Sequence, residues 1–355
     1  MRHTPLSEWH EKNGGKMVDF HGWALPLQFR GIIQEHLHTR GAVSLFDCSH
    51  MGEFLIQGAE SIRLFDRLVF CDVLGLPVGR ARYGSILNER GGIVDDVVVM
   101  RVAEDELLVS TNAVTQEKVA NYIAANVPGA CNASKTTAKI DVQGPMSGHA
   151  MRRLGLDAID PLQYYTCCKT RWRDTPITIS RAGYTGELGY ECFVPNDLAE
   201  PLWDSLLEWE QVRPAGLGAR DTLRLEMGYT LYGQDVDESR TTLEAGMGRF
   251  IHWGRDFVGR DALCLRGEKR DYPLRTGIRS KSRQAPRAGQ EVQWKGEVVG
   301  VVTSGTYGPS VGCGIGMAYL PHQLAVPGME LMVGPRAIPV ETAQLPFYRH
   351  GTCRC

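Results

Sequence analysis

Two adjacent carboxylates, Asp95 and Asp96, stand in the run Gly91-Gly92-Ile93-Val94-Asp95-Asp96-Val97-Val98-Val99. The flanking residues are apolar and β-branched, so the run reads as a strand leaving a Gly-Gly turn. Side chains alternate faces along a strand, which predicts that Asp95 and Asp96 point opposite ways. At least one then enters a partly buried place, where an unpaired charge is expensive. A carboxylate held in a cleft can orient an amine or trade protons with it. The plainer alternative is a capped turn with both carboxylates bonded to backbone N–H groups.

Three further constellations carry chemical potential. Arg181-Ala182-Gly183-Tyr184-Thr185-Gly186-Glu187-Leu188-Gly189-Tyr190-Glu191 is a glycine-rich loop leading into a strand over Tyr190 to Val194. Such a loop can approach a ligand closely, but it lacks the lysine and following helix of a phosphate loop. Glu191 falls on the face opposite Tyr190, either in a pocket or as a surface glutamate of a hairpin. In Arg220-Asp221-Thr222-Leu223-Arg224-Leu225-Glu226, Arg220 and Arg224 share a helix face and Asp221 can pair with Arg224. A solvated face is the ordinary reading; the apolar lead-in Pro214 to Gly218 favours a cleft. Finally Tyr83, Tyr164, Tyr165 and Tyr229 are flat amphipathic rings suited to walling a flat heterocycle, although each singly can be a core or rim residue.

The elements that must hold these residues are short. Glu53–Gln57, Val94–Met100 and Glu106–Ser110 read as strands, with helices over Ser61–Leu68 and Val114–Ala125 between or after them. Leu198, Leu202 and Leu206 recur every four residues and predict a helix over Asp197–Trp209, capped by Asn196. A second helix covers Leu217–Met227. From Glu291 onward the pattern is strand and turn alone: Glu297–Ser304, Ile315–Leu320, Met329–Val333. The basic, helix-poor run Arg266–Arg275 reads as a junction. Together these predict an α+β body with a β-barrel or sandwich at the C-terminus.

The chain's 355 residues exceed one ordinary core and fit two or three domains. Apolar residues at 43% and charged residues at 23% describe a globular protein. A formal net charge of −2 argues against nucleic acid as the main partner. No apolar run is long enough to span a membrane, and Met1–His10 lacks the apolar stretch of a secretory signal. The expected location is the cytoplasm, or an organelle matrix if a targeting segment has been removed. The ten cysteines are scattered without a C-x-x-C, so they read mostly as reduced, buried small hydrophobes. Cys353 and Cys355 at the end make at most a weak metal site, and no metal is expected.

The segments taken together resemble the glycine cleavage T-protein family. Lys16-Met17-Val18-Asp19-Phe20-His21-Gly22-Trp23 comes first, then Phe46-Asp47-Cys48-Ser49-His50-Met51-Gly52, then the Gly-Gly-Ile-Val-Asp-Asp run. Val142-Gln143-Gly144-Pro145, Gly183-Tyr184-Thr185-Gly186-Glu187, Gly216-Leu217-Gly218-Ala219-Arg220-Asp221, Leu231-Tyr232-Gly233, Val302-Thr303-Ser304-Gly305 and Leu345-Pro346-Phe347-Tyr348 follow in order. Any one segment is weakly specific; the ordered set, from about residue 4 to residue 349, is not.

The resemblance implies a three-lobed folate-binding fold: residues 1–50 with 140–250 as a discontinuous central domain, 51–139 as a second α+β domain, and 251–355 as a C-terminal β-rich domain. It implies an aminomethyl transfer from the lipoyl arm of a partner, the H-protein, to tetrahydrofolate, with release of ammonia and formation of 5,10-methylenetetrahydrofolate. By the same resemblance Asp96 is the catalytic carboxylate near the folate nitrogens that receive the carbon, where it can orient the folate, raise amine nucleophilicity or stabilise an iminium-like cation, and Glu191 is the acceptor for the pterin's paired N–H donors. Tyr83, Asn112, Arg220, Tyr229, Tyr164 and Tyr165 match further pocket positions, and Tyr348 matches one near the C-terminal end. Cys313 and the stretch His252-Trp253-Gly254-Arg255 stand where relatives usually carry lysine, which bears on partner fit more than on folate. The same fold also serves folate-dependent demethylases of small metabolites and, in a different class, folate-binding regulatory or repair proteins; these are the alternatives.

Overall fold

The computed structural model describes residues 1–354; Cys355, and with it the Cys353/Cys355 pair, lies outside them. A five-stranded antiparallel sheet forms from residues 52–132. Its order is Ala81–Leu87, Ile93–Ala103, Glu106–Thr111, Gly52–Gln57, Ala130–Asn132. One face carries the helices Ala59–Leu68 and Gln116–Asn126, and Phe54, Ile56, Phe65, Val97, Val99, Val109 and Ile123 fill the space between. The other face is free to meet a second sheet.

That second sheet has six strands in the order Thr166–Trp172, Thr175–Arg181, Gly189–Pro195, Thr137–Gln143, Val43–Asp47, Val212–Pro214. Only its last pair is parallel. Its far face is covered by helices including Ser147–Arg153 and Ala199–Leu207, around Ile140, Ile179, Leu202 and the fully buried Trp203. The inner faces of the two sheets meet through a small apolar cluster: Leu55, Val98, Met100 and Leu108 from one, Cys167 and Phe193 from the other. A closed six-stranded barrel, Leu274–Ser280 through Ile338–Ala343, has its own core of Ile278, Val302, Ala318 and Leu331. A small sheet of Arg2–His3, Trp23–Pro26 and Met17–Phe20 completes the chain. No helix among the described residues is long and apolar enough to cross a membrane.

Three local expectations are corrected. Asn196 does not cap the 197–209 helix. The segment begins as a 3-10 turn, Asn196–Leu198, and the α-helix runs Ala199–Leu207, while the Asn196 amide donates to the Lys135 carbonyl at 2.8 Å. Arg266–Arg275 is not helix-poor. The helix Arg260–Lys269 covers its first part, where Arg266 reaches the buried Glu244 at 3.3 Å. Barrel strands begin at Leu274, before Glu291, because the Leu274–Ser280 strand pairs with Cys313–Leu320 and Ile338–Ala343 to close the ring.

Buried ion pairs join the parts. The Arg40 guanidinium reaches Glu187 at 2.8 Å and Glu226 at 2.9 Å, and Glu226 also accepts from the Ser310 N–H at 2.7 Å. His36 bridges Thr222 and Ser310 at 2.8 Å each. One buried network thus ties the Ile32–Gly41 helix, the Leu217–Glu226 helix and the barrel together. Removing one partner of such a network strands a charge out of water, which is strongly destabilising.

Candidate functional site

All nine side chains singled out from the sequence line a single cavity of about 1850 Å³ between the two sheets, the Leu217–Glu226 helix and the C-terminal segment. The strand Ile93–Ala103 brings Asp96 there by a local irregularity. Leu87 pairs with Ile93 but Ile86 pairs with Asp95, so Val94 is the extra residue of a bulge. Beyond the bulge Asp95, Val97 and Val99 turn to the helix-covered core, and Asp96 and Val98 turn to the cavity. The opposite-face expectation holds for the strand. The two carboxylates nevertheless meet through Asn112, just past the neighbouring strand: its side-chain amide donates to Asp95 Oδ1 and Asp96 Oδ1, each at 2.8 Å. The Asn112 backbone N–H holds Asp95 Oδ2 at 3.0 Å.

Tyr83 pairs with Val98 and lies diagonal to Asp96, so its hydroxyl can donate to Asp96 Oδ2 at 3.0 Å. Asp96 therefore has a fixed donor on each oxygen, an arrangement suited to its ionised form. Asp95 differs. Burial, and then the charge of Asp96, push its carboxyl up to about 8. Burial also raises Asp96, against the bonds from Tyr83 and Asn112. Two fixed donors favour the ionised form of Asp96, and the charge of Asp96 favours the protonated form of Asp95.

Glu191 sits across the cavity on Gly189–Pro195, beside a buried charge chain. Lys139 Nζ donates to Glu191 Oε1 at 2.7 Å and to Asp141 Oδ1 at 2.9 Å, and Arg220 donates to Asp141 Oδ2 at 2.8 Å. Burial raises Asp141, but Lys139 and Arg220 more than offset it and hold its carboxyl below the usual range. Burial raises Glu191, with Lys139 opposing. Its Oε2 has no protein hydrogen bond among the described residues and remains available to a ligand on the cavity side. Lys139 and Asp141 were not foreseen. They are two apart on Thr137–Gln143, which from sequence alone reads as a solvated strand face; the strand in fact lies in the middle of its sheet.

Aromatic rings make the walls. Tyr164 and Tyr165 meet edge to face at 4.8 Å, and Tyr229 stacks on Tyr184 at 5.8 Å with 23° between planes. Arg220 lies 4.9 Å from the Tyr184 ring centroid, and Phe250 packs edge-on to Tyr83 at 5.7 Å. Tyr165 has φ 60°, a left-handed conformation that a bulky residue adopts only when its surroundings fix it. Arg220 and Arg224 are not a solvated face. Arg224 is buried, 2.7 Å from Asp235 and 2.8 Å from Asp221. Tyr348 is held under the Arg40 guanidinium at 4.1 Å, with its N–H on the Glu226 carbonyl at 3.0 Å. Beyond it the chain is pinned back onto the glycine-rich loop. Thr352 donates to Glu187 at 2.6 Å from its hydroxyl and 3.1 Å from its N–H.

Chemically, the cavity offers an oriented carboxylate at one end, a carboxylate with an open oxygen at the other, and flat walls between. Cys313 is buried, its sulfur 3.1 Å from Arg279 Nε, and no cluster of three or more His, Cys, Asp or Glu among the described residues could hold a metal.

Comparison with known proteins gives a consistent set of likenesses. Residues 6–255 match the family described as GCVT N-terminal domain, and residues 275–349 match the Glycine cleavage T-protein C-terminal barrel domain. The chain is 40% identical over 364 residues to a Thermotoga petrophila protein named aminomethyltransferase, covering 100% of each. It is 38% identical to one from Halothermothrix orenii, covering 98% of this chain and 100% of the relative. The crystal structure of glycine cleavage system aminomethyltransferase T from Bartonella henselae superposes with a TM-score of 0.94, at 31% identity over 99% of each chain.

Proposed function

This chain belongs to the glycine cleavage T-protein family and is an aminomethyltransferase of the glycine cleavage system, and from that premise we propose that its cavity binds tetrahydrofolate and receives an aminomethyl group from the lipoyl arm of an H-protein. The observation that carries the reading is the placement of Asp96 and Glu191 on one cavity with complementary occupancies. Asp96 has both oxygens held by protein donors, while Glu191 keeps Oε2 open. The open oxygen suits the paired N–H donors of a pterin edge, and the charge of Lys139 behind Oε1 fixes the carboxylate's orientation. Tyr164, Tyr165, Tyr184 and Tyr229 suit the faces of a flat ring system.

Bound tetrahydrofolate supplies the nitrogens that take the one-carbon unit. The chain's own part is positioning and proton handling. Tyr83 and Asn112 hold Asp96 in place and favour its ionised form. Its carboxylate orients an amine in the cavity, stabilises positive charge beside it, or receives its proton. Asp95, pushed up to about 8 by burial and by the charge of Asp96, favours its protonated form and so limits the local charge. The aromatic and apolar walls exclude water from a carbon unit that hydrolysis would waste.

Calorimetric titration of tetrahydrofolate into the purified protein tests the binding half of this reading. One site per chain, with a raised melting temperature on saturation, is the expected result. No heat and no thermal stabilisation at millimolar ligand would contradict it.

A further inference from the structure

One buried imidazole on the cavity wall takes no part in the site described above. His50 is 5% exposed, lines the cavity and packs edge-on against Phe20 at 5.6 Å. Its Nδ1 is shut off from solvent with no hydrogen-bond partner, and Nε2 makes no hydrogen bond among the described residues either. Buried polar side chains are ordinarily bonded, so a ring left without partners on a cavity wall points to a partner that enters the cavity.

The turn that carries His50 is fixed at both ends. It leaves the Val43–Asp47 strand, where Asp47 Oδ1 accepts the Ser49 N–H at 3.0 Å and Oδ2 accepts the Thr4 hydroxyl at 2.6 Å, with His10 Nε2 3.0 Å away. The Met51 N–H closes it on the Cys48 carbonyl at 3.0 Å. The same turn wraps Lys139. The Cys48 N–H donates to the Lys139 carbonyl at 2.9 Å, the Lys139 N–H donates to the Ser49 hydroxyl at 3.2 Å, and the Lys139 ammonium lies 3.8 Å from Met51 Sδ. That ammonium bonds Glu191 Oε1 at 2.7 Å. The residues on either side of His50 thus touch Lys139, and His50 meets the cavity at its Glu191 end.

Burial pushes the imidazole down to about 4, against the charge of Asp47, so at neutral pH the ring is uncharged and carries one N–H and one lone pair. The two tautomers differ in cost. A proton on Nδ1 would bury an N–H with no acceptor. A proton on Nε2 leaves only an unused lone pair at Nδ1, and unsatisfied acceptors are tolerated better than orphaned donors. The donor therefore belongs on Nε2.

We propose that His50 is a ligand-binding residue whose Nε2–H donates to the ring carbonyl adjoining the pterin's paired N–H donors, so that one edge of the heterocycle is read by an acceptor, Glu191 Oε2, and a donor, His50, together. This rests on the folate reading above for the ligand's identity, but not for the tautomer. His50 touches no reacting atom in this account. Its removal should therefore move ligand affinity, not the chemical step.

The test pairs His50→Gln, which keeps a neutral N–H donor, with His50→Phe, which keeps only a flat ring. His50→Gln should hold the tetrahydrofolate KM and Kd within about 3-fold of wild type, whereas His50→Phe should raise both by about 10-fold with kcat changed less than about 3-fold, the scale of a lost hydrogen bond that leaves a buried carbonyl unpaired. With tetrahydrofolate labelled at the ring carbonyl carbon, isotope-edited infrared spectra should place the bound carbonyl stretch at higher frequency in His50→Phe than in wild type, and His50→Gln should restore it. Equal losses in both variants, an unmoved carbonyl stretch in His50→Phe, or a fall in kcat at constant KM would each overturn the proposal. Should His50→Phe fail to fold, the tautomer is read directly in the wild type. With histidine labelled at the ring nitrogens, the NMR signals that vanish in His50→Gln should be those of a neutral ring protonated on Nε2 at neutral pH, and the Nε2 proton should move downfield when tetrahydrofolate binds. A proton on Nδ1, or an Nε2 proton that tetrahydrofolate does not move, would overturn the proposal. Wild-type protein that binds no tetrahydrofolate overturns the folate reading itself, whereas tight wild-type binding left unchanged in His50→Phe overturns only the role given to His50.

Discussion

Asp95 and Asp96 share the Asn112 amide, and that sharing separates their consequences. Asp96→Asn should keep the fold and folate binding while lowering turnover by about 100-fold or more, the scale of a positioned acid–base group. Single-turnover kinetics alongside a melting curve would check it; full activity in the variant would remove Asp96 from the chemistry. Asp95→Asn should spare turnover at neutral pH, because it replaces a carboxyl that is already uncharged. Its effect belongs to stability. With a folded value of about 8 against an ordinary 3.8, the folded protein binds more protons there than the unfolded chain between these limits. Stability contributed by Asp95 is thus complete below about pH 4 and lost as pH rises to 8. The melting temperature of Asp95→Asn relative to wild type should climb between pH 5 and pH 8.5; a constant difference would contradict the assignment. Glu191→Gln leaves an acceptor for Lys139 but turns an amide toward the ligand's donors, so folate binding should weaken by on the order of 2–3 kcal/mol in calorimetry. That one of this pair enters a cleft is legible in the sequence, because two carboxylates in an apolar strand demand an explanation; that it is Asp96 rather than Asp95 comes from the family resemblance. Lys139 and Asp141 are not legible, because alternating polar residues on a strand look solvated until a second sheet is known to cover that face.

At the scale of elements, the position of Asp96 depends on how its strand begins. Gly92 bridges Thr241, and the Ile93 N–H lies 3.2 Å from the Asp237 carbonyl and 3.1 Å from that of Arg240. A Cβ at Gly92 would come 2.1 Å from the Glu238 carbonyl oxygen and 2.8 Å from the Asn88 amide. Gly92→Ala should therefore lose about 1–3 kcal/mol of stability and also reduce turnover, since Asp96 lies four residues along the displaced strand. Gly41→Ala, where nothing lies within 4 Å and the backbone is ordinary, is the control and should leave the melting temperature unchanged or higher. Equal behaviour of the two variants in thermal melts would sink the account of the strand start. The strands and helices that periodicity marks lie within a few residues of their bounds, but it does not mark the helices Ile32–Gly41 and Arg260–Lys269 or the strand Thr137–Gln143. What was not legible was tertiary: Asn196 looks like a cap until Lys135 takes its amide, and the barrel's first strand, Leu274–Ser280, carries too few apolar residues in a row to stand out before its partners are known.

Over the whole molecule, the cavity is assembled from every part of the chain, with Tyr83 and Asp96 from one sheet, Glu191 and Lys139 from the other, and Tyr348 from beyond the barrel. Arg63, Arg67, Arg80 and Arg82 form one basic group in the sequence and Lys169, Arg171 and Arg173 another, either of which could face an acidic partner, and several of these residues are engaged locally. Arg63 pairs with Glu60, Arg82 with Asp72, and Lys169 with Glu106, at 2.6, 3.4 and 2.7 Å. Arg80 is exposed and has no ion pair among the described residues, and Arg82 beside it lines the cavity. If this rim receives a lipoylated protein, the apparent KM for that protein should rise steeply between low and moderate salt while folate affinity changes less, because exposed attractions beyond about 8–10 Å are screened there. Replacing Arg80 and Arg82 together with glutamine should flatten the dependence, and a salt-independent KM in the wild type would exclude electrostatic docking.

The central claim, that a protein-borne aminomethyl group is transferred to tetrahydrofolate in this cavity, is tested most directly by mixing the purified protein with tetrahydrofolate and aminomethyl-loaded H-protein. A parallel series replaces the H-protein with free methylated sulfur, oxygen and nitrogen compounds. The account predicts stoichiometric ammonia and methylenetetrahydrofolate from the loaded H-protein, lost in Asp96→Asn, and no comparable turnover of any free donor. Faster turnover of a free methyl donor than of the loaded H-protein would contradict it and identify the chain as a demethylase on the same fold.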